Sequence, residues 1–393
     1  MHKPELSFSS PQSNIKGEVI RQTLKLSIAT IIPNNNMSYQ ATEIFLKTPI
    51  KTVGNYEWNQ EDSSFEQKKS EVSADSLVDG QILVKLLYLS NDPTQRVWVQ
   101  DGINPKRMYT PPVYKGETMR SLGLGEVVAS KSEKFSVGDK VNGLLEWKTY
   151  SIISEARIFN KIDESQGLPL PFYLSAVGMT ALTAYFGLKE VCQFKEGQSV
   201  VVSAASGATG SMVVQIAKHI FGASKVVGIT SSTEKGEWIK SIGADHYVNY
   251  KDADFKEQLE KIAGEDYFDA YFDNVGGEIL NSVLPSIKRF GHVAACGAIS
   301  SYNDRSQNVI NNWGEIITNR LNVRGFIVGD FAAQFPDAIK DIVTGIKTGK
   351  IKANEGANIQ DVSQDENPLD RVPAIWSTLF TNKANGKLIT KIA

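Results

Sequence analysis

The stretch VVVSAASGATGSMVVQIAK, Val200 to Lys218, constrains this chain more than any other. Three consecutive valines read as a buried strand, the small residues that follow as a tight turn, and the remainder as an amphipathic helix. A turn free of bulky side chains lets backbone N–H groups approach a ligand, and the helix start behind it carries partial positive charge. The two together make an anion site suited to phosphate. Aligned to G-x-G-x-x-G, the turn reads Ala205-Ser206-Gly207-Ala208-Thr209-Gly210, with alanine in the first glycine position. Gly207 leaves room for a pyrophosphate against the backbone, and Gly210 lets the helix pack close to its strand. The plainer reading is a glycine turn that only packs helix on strand; the context argues against it.

That context is a repeat. SVVVSAA leads into SMVVQIAKHIF, KVVGIT into TEKGEWIKSIG, HYVNY into DFKEQLEKIAG, and FDAYFDNV into EILNSVLPSIK, after which come HVAACG and NVRGFIV. Continuous apolar strands alternating with helices predict an α/β fold with a Rossmann-type, doubly wound parallel sheet covered on both faces. NVRGFIV, Asn322 to Val328, reads as the sixth strand. From about Ile82 to Ile158 the pattern differs: short strands such as QILVKLLYLS and GLGEVVAS alternate with glycine turns, which predicts a β-rich, barrel-like unit. After a helix around Pro336 to Thr348, the tail GKLITKIA returns to a strand pattern and is expected to rejoin that unit. The expected division is therefore an extension over 1–36, a barrel unit over 37–170, a nucleotide-binding unit over 171–335 and a return over 336–393.

The end of the second strand of the repeat decides the charge of the ligand. A site for the unphosphorylated dinucleotide places Asp or Glu there, to accept from the adenosine ribose hydroxyls. This chain has Thr230-Ser231-Ser232-Thr233-Glu234-Lys235 instead. Hydroxyls such as that of Ser231, followed by the Lys235 ammonium, suit a 2′-phosphate, so the expected cofactor is NADP(H). Glu234, in the first turn of a helix, has an ordinary capping role.

Composition removes other function classes. With 393 residues the chain has room for two domains, and a formal charge of −2 gives no reason to expect nucleic acid or an anionic membrane as partner. Two cysteines, Cys192 and Cys296, and four scattered histidines lack the spacing of catalytic and structural zinc sites, so no metal is expected. His219 and His292 read as structural residues. Residues 1–36 are polar and carry several basic side chains along with Glu5 and Glu18, which reads as an extension or as residues preceding a true start at Met37. The expected location is cytoplasmic, or mitochondrial if that segment acts as a targeting signal.

Several stretches in matching order resemble one family. They are Gly178-Met179-Thr180-Ala181-Leu182-Thr183-Ala184-Tyr185-Phe186-Gly187-Leu188, the SAASGATGS turn, Tyr271-Phe272-Asp273-Asn274-Val275-Gly276-Gly277, and Cys296-Gly297-Ala298-Ile299-Ser300-Ser301-Tyr302-Asn303. From about Leu83 onward the chain is similar to the zinc-independent medium-chain dehydrogenase/reductases, the branch of the leukotriene B4 12-hydroxydehydrogenase/prostaglandin reductases and plant 2-alkenal reductases. The resemblance implies a GroES-like β-barrel catalytic domain beside the nucleotide domain, a homodimer, and NADPH-dependent reduction of the C=C bond of α,β-unsaturated aldehydes and ketones. It implies that Gly207, Ala208, Thr209 and Gly210 hold the pyrophosphate, Lys235 the 2′-phosphate, and Tyr250 the adenosine phosphate end. Asn274, Phe326 and Val328 would frame the nicotinamide, with Met179 and Thr183 beneath it. Two departures stand out. Asp92-Pro93-Thr94-Gln95-Arg96 replaces the family's Asp-Pro-Tyr-Met-Arg, and Asn385 lies one place later than the family's asparagine before Gly-Lys.

Reduction of an enal or enone places negative charge on the carbonyl oxygen, which calls for a hydrogen-bond donor in a dry cleft. Tyr302 is the expected catalytic donor, acting directly or through a cofactor ribose hydroxyl. Two other readings remain open on the same scaffold: an NADPH:quinone oxidoreductase, and a protein that binds NADPH without turnover.

Overall fold

The computed structural model describes residues 37–381 and 385–393; the extension 1–36 lies outside the described residues. Strands β8 (Ser199–Val202), β9 (Lys225–Thr230), β10 (His246–Asn249), β11 (Phe268–Asp273), β12 (Ile287–Ala295) and β13 (Asn322–Gly325) form one parallel sheet in the order β10-β9-β8-β11-β12-β13. This is the doubly wound arrangement, and its strand order reverses between β8 and β11. All four residues of β8 are buried, as are Val226, Val227 and Ile229 on β9, so the sheet is apolar on both faces.

The helices that cover it begin with α2 (Met179–Phe186), which continues through a π-helical turn over Gly187–Val191. Then come α3 (Ala208–His219), α4 (Thr233–Ser241), α5 (Phe255–Ala263) and α6 (Gly277–Val283). Gly187 is fixed by packing, because a Cβ there would stand 2.3 Å from the Phe272 ring. NVRGFIV is strand only as far as Gly325. Beyond it Phe326 turns onto Phe272 in an edge-to-face contact, and the chain enters a 3₁₀ stretch at Val328. Ring packing there outweighs the local strand pattern.

The second sheet holds β3 (Gln81–Ser90), β4 (Arg120–Ser130), β5 (Lys140–Glu146), β7 (Ile158–Lys161), β14 (Ala357–Asp361) and β15 (Lys387–Lys391), with β6 (Tyr150–Ser154) also paired to β3. Its pairings are antiparallel except β14 with β15. The tail GKLITKIA supplies β15, which pairs with β3 about 300 residues earlier in the chain (Ile389 opposite Ser90). A separate hairpin of β1 (Ser38–Leu46) and β2 (Phe65–Ser73) lies ahead of the segment read as β-rich from the sequence. Its polar strand FEQKKSEVS carries little apolar alternation to announce it.

The barrel core centres on Phe65, Trp147 and Trp376, whose rings pack with centroids 5.5 to 6.3 Å apart. Helix α7 (Phe335–Lys347) buries Ala338 and Ile342 in the cluster that includes Phe186 and Val213 of the nucleotide-sheet side. Lys387, 2 % exposed, ion-pairs with Asp92 and donates to the Asn91 carbonyl, which anchors β15 in the barrel.

Candidate active site

The glycine turn lies at the carboxyl end of β8, beside the reversal of strand order, where open parallel sheets leave a crevice for ligands. Ala204 takes the left-handed conformation (φ +48°), which bends the chain sharply after the strand. Gly210 is fixed by packing, since a Cβ there would lie 2.2 Å from the Ala204 carbonyl oxygen. Gly207 is looser: its nearest neighbour would be the same oxygen, at 3.2 Å. Gly207 caps α3 without a side-chain hydrogen bond, so the first N–H groups of the helix, on Ala208, Thr209 and Gly210, point out of the helix start uncapped by any side chain. The position of the missing first glycine, Ala205, is fully buried, and the close approach there is met by Gly228 of β9 instead. A Cβ on Gly228 would lie 2.8 Å from that of Ala205 and 2.1 Å from the Ile239 side chain.

The C-terminal segment comes to the same turn. Gly386 donates its N–H to the Ser206 carbonyl at 2.8 Å and bridges to Gly207. Its φ of +62°, and a Gly356 carbonyl 2.4 Å from where a Cβ would stand, leave only glycine there. Asn385 is thereby set beside the phosphate turn, and its side-chain oxygen is buried with no hydrogen-bond partner among the described residues. An orphaned acceptor of this kind fits a hydroxyl or amide of a bound dinucleotide.

At the end of β9, the Thr230 hydroxyl donates to the Ser232 carbonyl, and the Ser232 hydroxyl accepts from the Lys235 N–H as the cap of α4. Ser231 stands between them. The Lys235 ammonium is held below its usual pKa, first by burial and then by the charge of Lys251, with Glu234 acting in the opposite sense. An ammonium whose charge is disfavoured by a neighbouring lysine marks a place that an anion would relieve. Lys251 was missed from the sequence; it follows Tyr250, whose N–H donates to the Thr230 carbonyl and so brings the two loops together. A cleft of about 380 Å³ opens beside Tyr250, bordered by Phe255, Gly276, Ile279, Ser300 and Gln307.

At the end of β11, Asp273 is buried and accepts from Tyr271 Oη, Ser203 Oγ and the N–H groups of Val275 and Gly276. Burial raises its pKa, while those donors favour the carboxylate. This fixes the loop carrying Asn274, whose side-chain amide donates to the Ser203 carbonyl at 2.8 Å. Tyr302 lies over the ends of β11 and β12: a Cβ on Gly297 would be 3.4 Å from the Tyr302 hydroxyl and 3.2 Å from the Asn274 carbonyl oxygen. Burial pushes the Tyr302 phenol up to about 12, against a hydrogen bond from the Ala298 backbone. Phe326 packs on Phe272. Met179 opens α2, and Thr183 donates to its carbonyl at 2.8 Å. Val328 and Met179 both lie against the apolar cluster of the nucleotide-sheet side.

The next residue, Asn303, carries the other signal that sequence reading missed. Its side-chain oxygen accepts from Arg96 Nε at 2.8 Å, and the Arg96 guanidinium, fully buried, also donates to the Thr52 carbonyl. Arg96 belongs to α1 (Gln95–Trp98) of the barrel side. His219 is held at the Ile242 carbonyl, at 3.3 Å, far along α3 from its N-terminus. Among the described residues no group of three or more His, Cys, Asp or Glu side chains is placed to hold a metal.

Two family models match the chain: the N-terminal domain of oxidoreductase over residues 53–161, and zinc-binding dehydrogenase over residues 208–344. A 2-alkenal reductase (NADP(+)-dependent) of Nicotiana tabacum is 35 % identical over 79 % of this chain and 87 % of its own length. The chain belongs to the zinc-independent medium-chain dehydrogenase/reductases. Another relative of this medium-chain reductase, named as an uncharacterized membrane protein of Saccharomyces cerevisiae, is 37 % identical over 86 % of this chain and 94 % of its own. Among the described residues no helix is long and apolar enough to cross a membrane. The crystal structure of CurA from Vibrio vulnificus in complex with NADPH is similar at a TM-score of 0.76 and 29 % identity, covering 90 % of this chain and 99 % of that one. The doubly wound sheet and the barrel unit of this medium-chain reductase are thus those of its family.

Proposed function

We propose that this chain is an NADPH-dependent reductase of the C=C bond of α,β-unsaturated aldehydes and ketones. The observation that carries the reading is the placement of the Tyr302 phenol, half-buried and protonated, against Gly297 and Asn274 at the carboxyl ends of the parallel strands. The name of the tobacco relative supports the substrate class and the cofactor, and the NADPH bound in the CurA complex supports the cofactor.

The residues present fit the dinucleotide. The N–H groups of Ala208, Thr209 and Gly210, at the uncapped start of α3, hold the pyrophosphate, and Gly207 keeps the approach clear. Lys235, with Ser231 and Lys251, holds the 2′-phosphate. Tyr250 and the cleft beside it take the adenosine end. Asn274, Phe326 and Val328 frame the nicotinamide above Met179 and Thr183, and the orphaned Asn385 oxygen gains a partner there. NADPH supplies the hydride when bound. The Tyr302 hydroxyl donates to the carbonyl oxygen on which charge develops, and its raised pKa keeps the proton in place through the neutral range.

A homodimer belongs to the same reading. Strand β13 is a sheet edge exposed at every position, Val323 included, and flanked by exposed Trp313, Ile317 and Ile327, an apolar edge of the kind that a second copy covers. We place the protein in the cytoplasm. Quinones are the alternative acceptors. A panel of enals, enones and quinones, followed by NADPH absorbance with NADH as control, tests the assignment: turnover is expected with enals and enones and with NADPH. Turnover restricted to quinones would transfer the assignment to quinone reduction, and binding without consumption would end the enzyme reading.

A further inference from the structure

A second phenol lies near Tyr302, and it comes from the barrel side. Tyr109 Oη lies 2.6 Å from Thr94 Oγ1 and accepts from Trp98 Nε1 at 3.1 Å. Thr94 caps α1 and Trp98 ends it, so one short helix holds that hydroxyl from two directions. The same helix carries Arg96, whose guanidinium is hydrogen-bonded to Asn303, the neighbour of Tyr302. The Tyr109 ring remains 54 % exposed although its hydroxyl is anchored.

The donor inventory limits what this arrangement does. An indole N–H only donates, so the Tyr109 oxygen is an acceptor toward Trp98. Thr94 is able to donate to the second lone pair of the same oxygen. Tyr109 then keeps its own O–H for a ligand, fixed in place by two hydrogen bonds that ask nothing of that proton. Tyr109 lies close enough to Tyr302 to add to the raised pKa of that phenol, after burial. Burial of the Tyr109 hydroxyl, with Asp92 nearby, keeps it protonated as well.

We propose that Tyr109 is a substrate-positioning residue, whose hydroxyl donates to the carbonyl oxygen of the enal or enone from the barrel wall while Tyr302 donates from the nucleotide side. The proposal rests on the enal and enone reading above and deepens it. Two donors converging on one oxygen select acceptors that carry a carbonyl conjugated to the C=C bond. They discriminate against alkenes activated by a group that cannot accept two hydrogen bonds. Thr94 thereby acquires a role: it is the hydroxyl that frees the Tyr109 proton.

The test uses the full chain with 2-hexenal as probe and reads KM and kcat separately, with the dissociation constant for NADPH and the melting temperature as controls. Tyr109→Phe is expected to raise KM for 2-hexenal roughly tenfold, the effect of about one hydrogen bond, with NADPH binding unchanged and the melting temperature lowered by the unpaired Trp98 N–H. Thr94→Val, which keeps the shape and removes the hydroxyl, is expected to raise the same KM, and Thr94→Ser to restore it. A Tyr109→Phe enzyme whose KM stays within about twofold of the parent overturns the inference, leaving the reductase reading intact. So does a KM rise matched by equally weaker NADPH binding, which marks a packing role. If the parent enzyme consumes no NADPH with 2-hexenal or with enones, the reading beneath it falls too.

Discussion

Arg96 Nε donates to Asn303 Oδ1 at 2.8 Å, and that bond ties the barrel helix α1 to the loop that carries Tyr302. The guanidinium is fully buried, its pKa lowered first by desolvation, and its Nη1 has no partner among the described residues. A buried cation this sparsely paired is costly, which points to a positional requirement. Replacing it by methionine removes two charge-assisted hydrogen bonds and leaves Asn303 unpartnered. Arg96→Met is therefore expected to lower kcat more than it raises KM for NADPH, because the Tyr302 loop loosens while the phosphate turn is untouched. Steady-state kinetics with each substrate varied in turn checks this.

Tyr302→Phe removes one donor to the developing oxyanion. The expected loss in kcat is on the order of 10²-fold, about 3 kcal/mol, with little change in NADPH affinity. Stopped-flow measurement of the single-turnover rate, with cofactor binding followed by fluorescence, reads both quantities. An unchanged rate would take Tyr302 out of the chemistry.

The pH dependence follows from the direction of the tyrosine shifts. Tyr302 is pushed up to about 12 from an ordinary 10, and Tyr271 and Tyr185 are also raised, in each case first by burial. An acid with a raised pKa in the folded state holds its proton when the unfolded chain has lost it, so the folded state binds more protons above pH 10. The stabilisation is fully present below pH 10 and is lost as pH rises toward 12 and beyond. Urea unfolding at intervals from pH 8 to 11 is expected to show constant stability at first and then a decline. The kcat profile should show no limb from Tyr302 ionisation below about pH 10.

The cofactor phosphate is tested by charge removal. Lys235→Ala and Lys251→Ala should each weaken NADPH binding, by about 1 to 3 kcal/mol at the half-buried Lys235 and by less at the exposed Lys251, and leave NADH binding nearly unchanged. Calorimetric titration of both cofactors into both variants settles the matter. Equal weakening of the two cofactors would make these lysines structural.

The two glycines of the turn separate fold from binding. Gly210→Ala puts a methyl 2.2 Å from the Ala204 carbonyl, a backbone atom that cannot swing away, and overpacking of this kind costs about 1–3 kcal/mol or more. Gly207→Ala, at φ −81° and with its nearest contact at 3.2 Å, fits the backbone. Gly210→Ala is expected to lower the melting temperature, whereas Gly207→Ala should keep it and weaken NADPH binding.

The strand–turn–helix repeat was legible because buried parallel strands are written as unbroken apolar runs, and because Gly207, Gly210 and Lys235 lie within a few residues of the elements that use them. Three parts of the site were not. Lys251 reaches Lys235 only when β10 pairs with β9, and nothing local marks the encounter. Arg96 stands in the sequence only as the last residue of the Asp92–Arg96 stretch, and nothing local shows that the fold buries it against Asn303. Tyr109 and Thr94 are far apart in helical or strand register, so their contact is a property of the loop between α1 and β4. The β1–β2 hairpin escaped notice because FEQKKSEVS is polar at most positions, and NVRGFIV was read too long because the Phe326–Phe272 packing that ends β13 is tertiary. Asn385 lies one place later than the resembling family's asparagine, yet the Gly386–Ser206 hydrogen bond brings it to the turn.

The most direct measurement follows a deuterium atom. The purified protein is incubated with 2-hexenal and NADPH labelled at the reactive nicotinamide carbon, and the product is analysed by mass spectrometry and NMR. The account predicts hexanal with the label on the β-carbon. An allylic alcohol labelled at the former carbonyl carbon, or unconsumed NADPH across enals and enones, would contradict it.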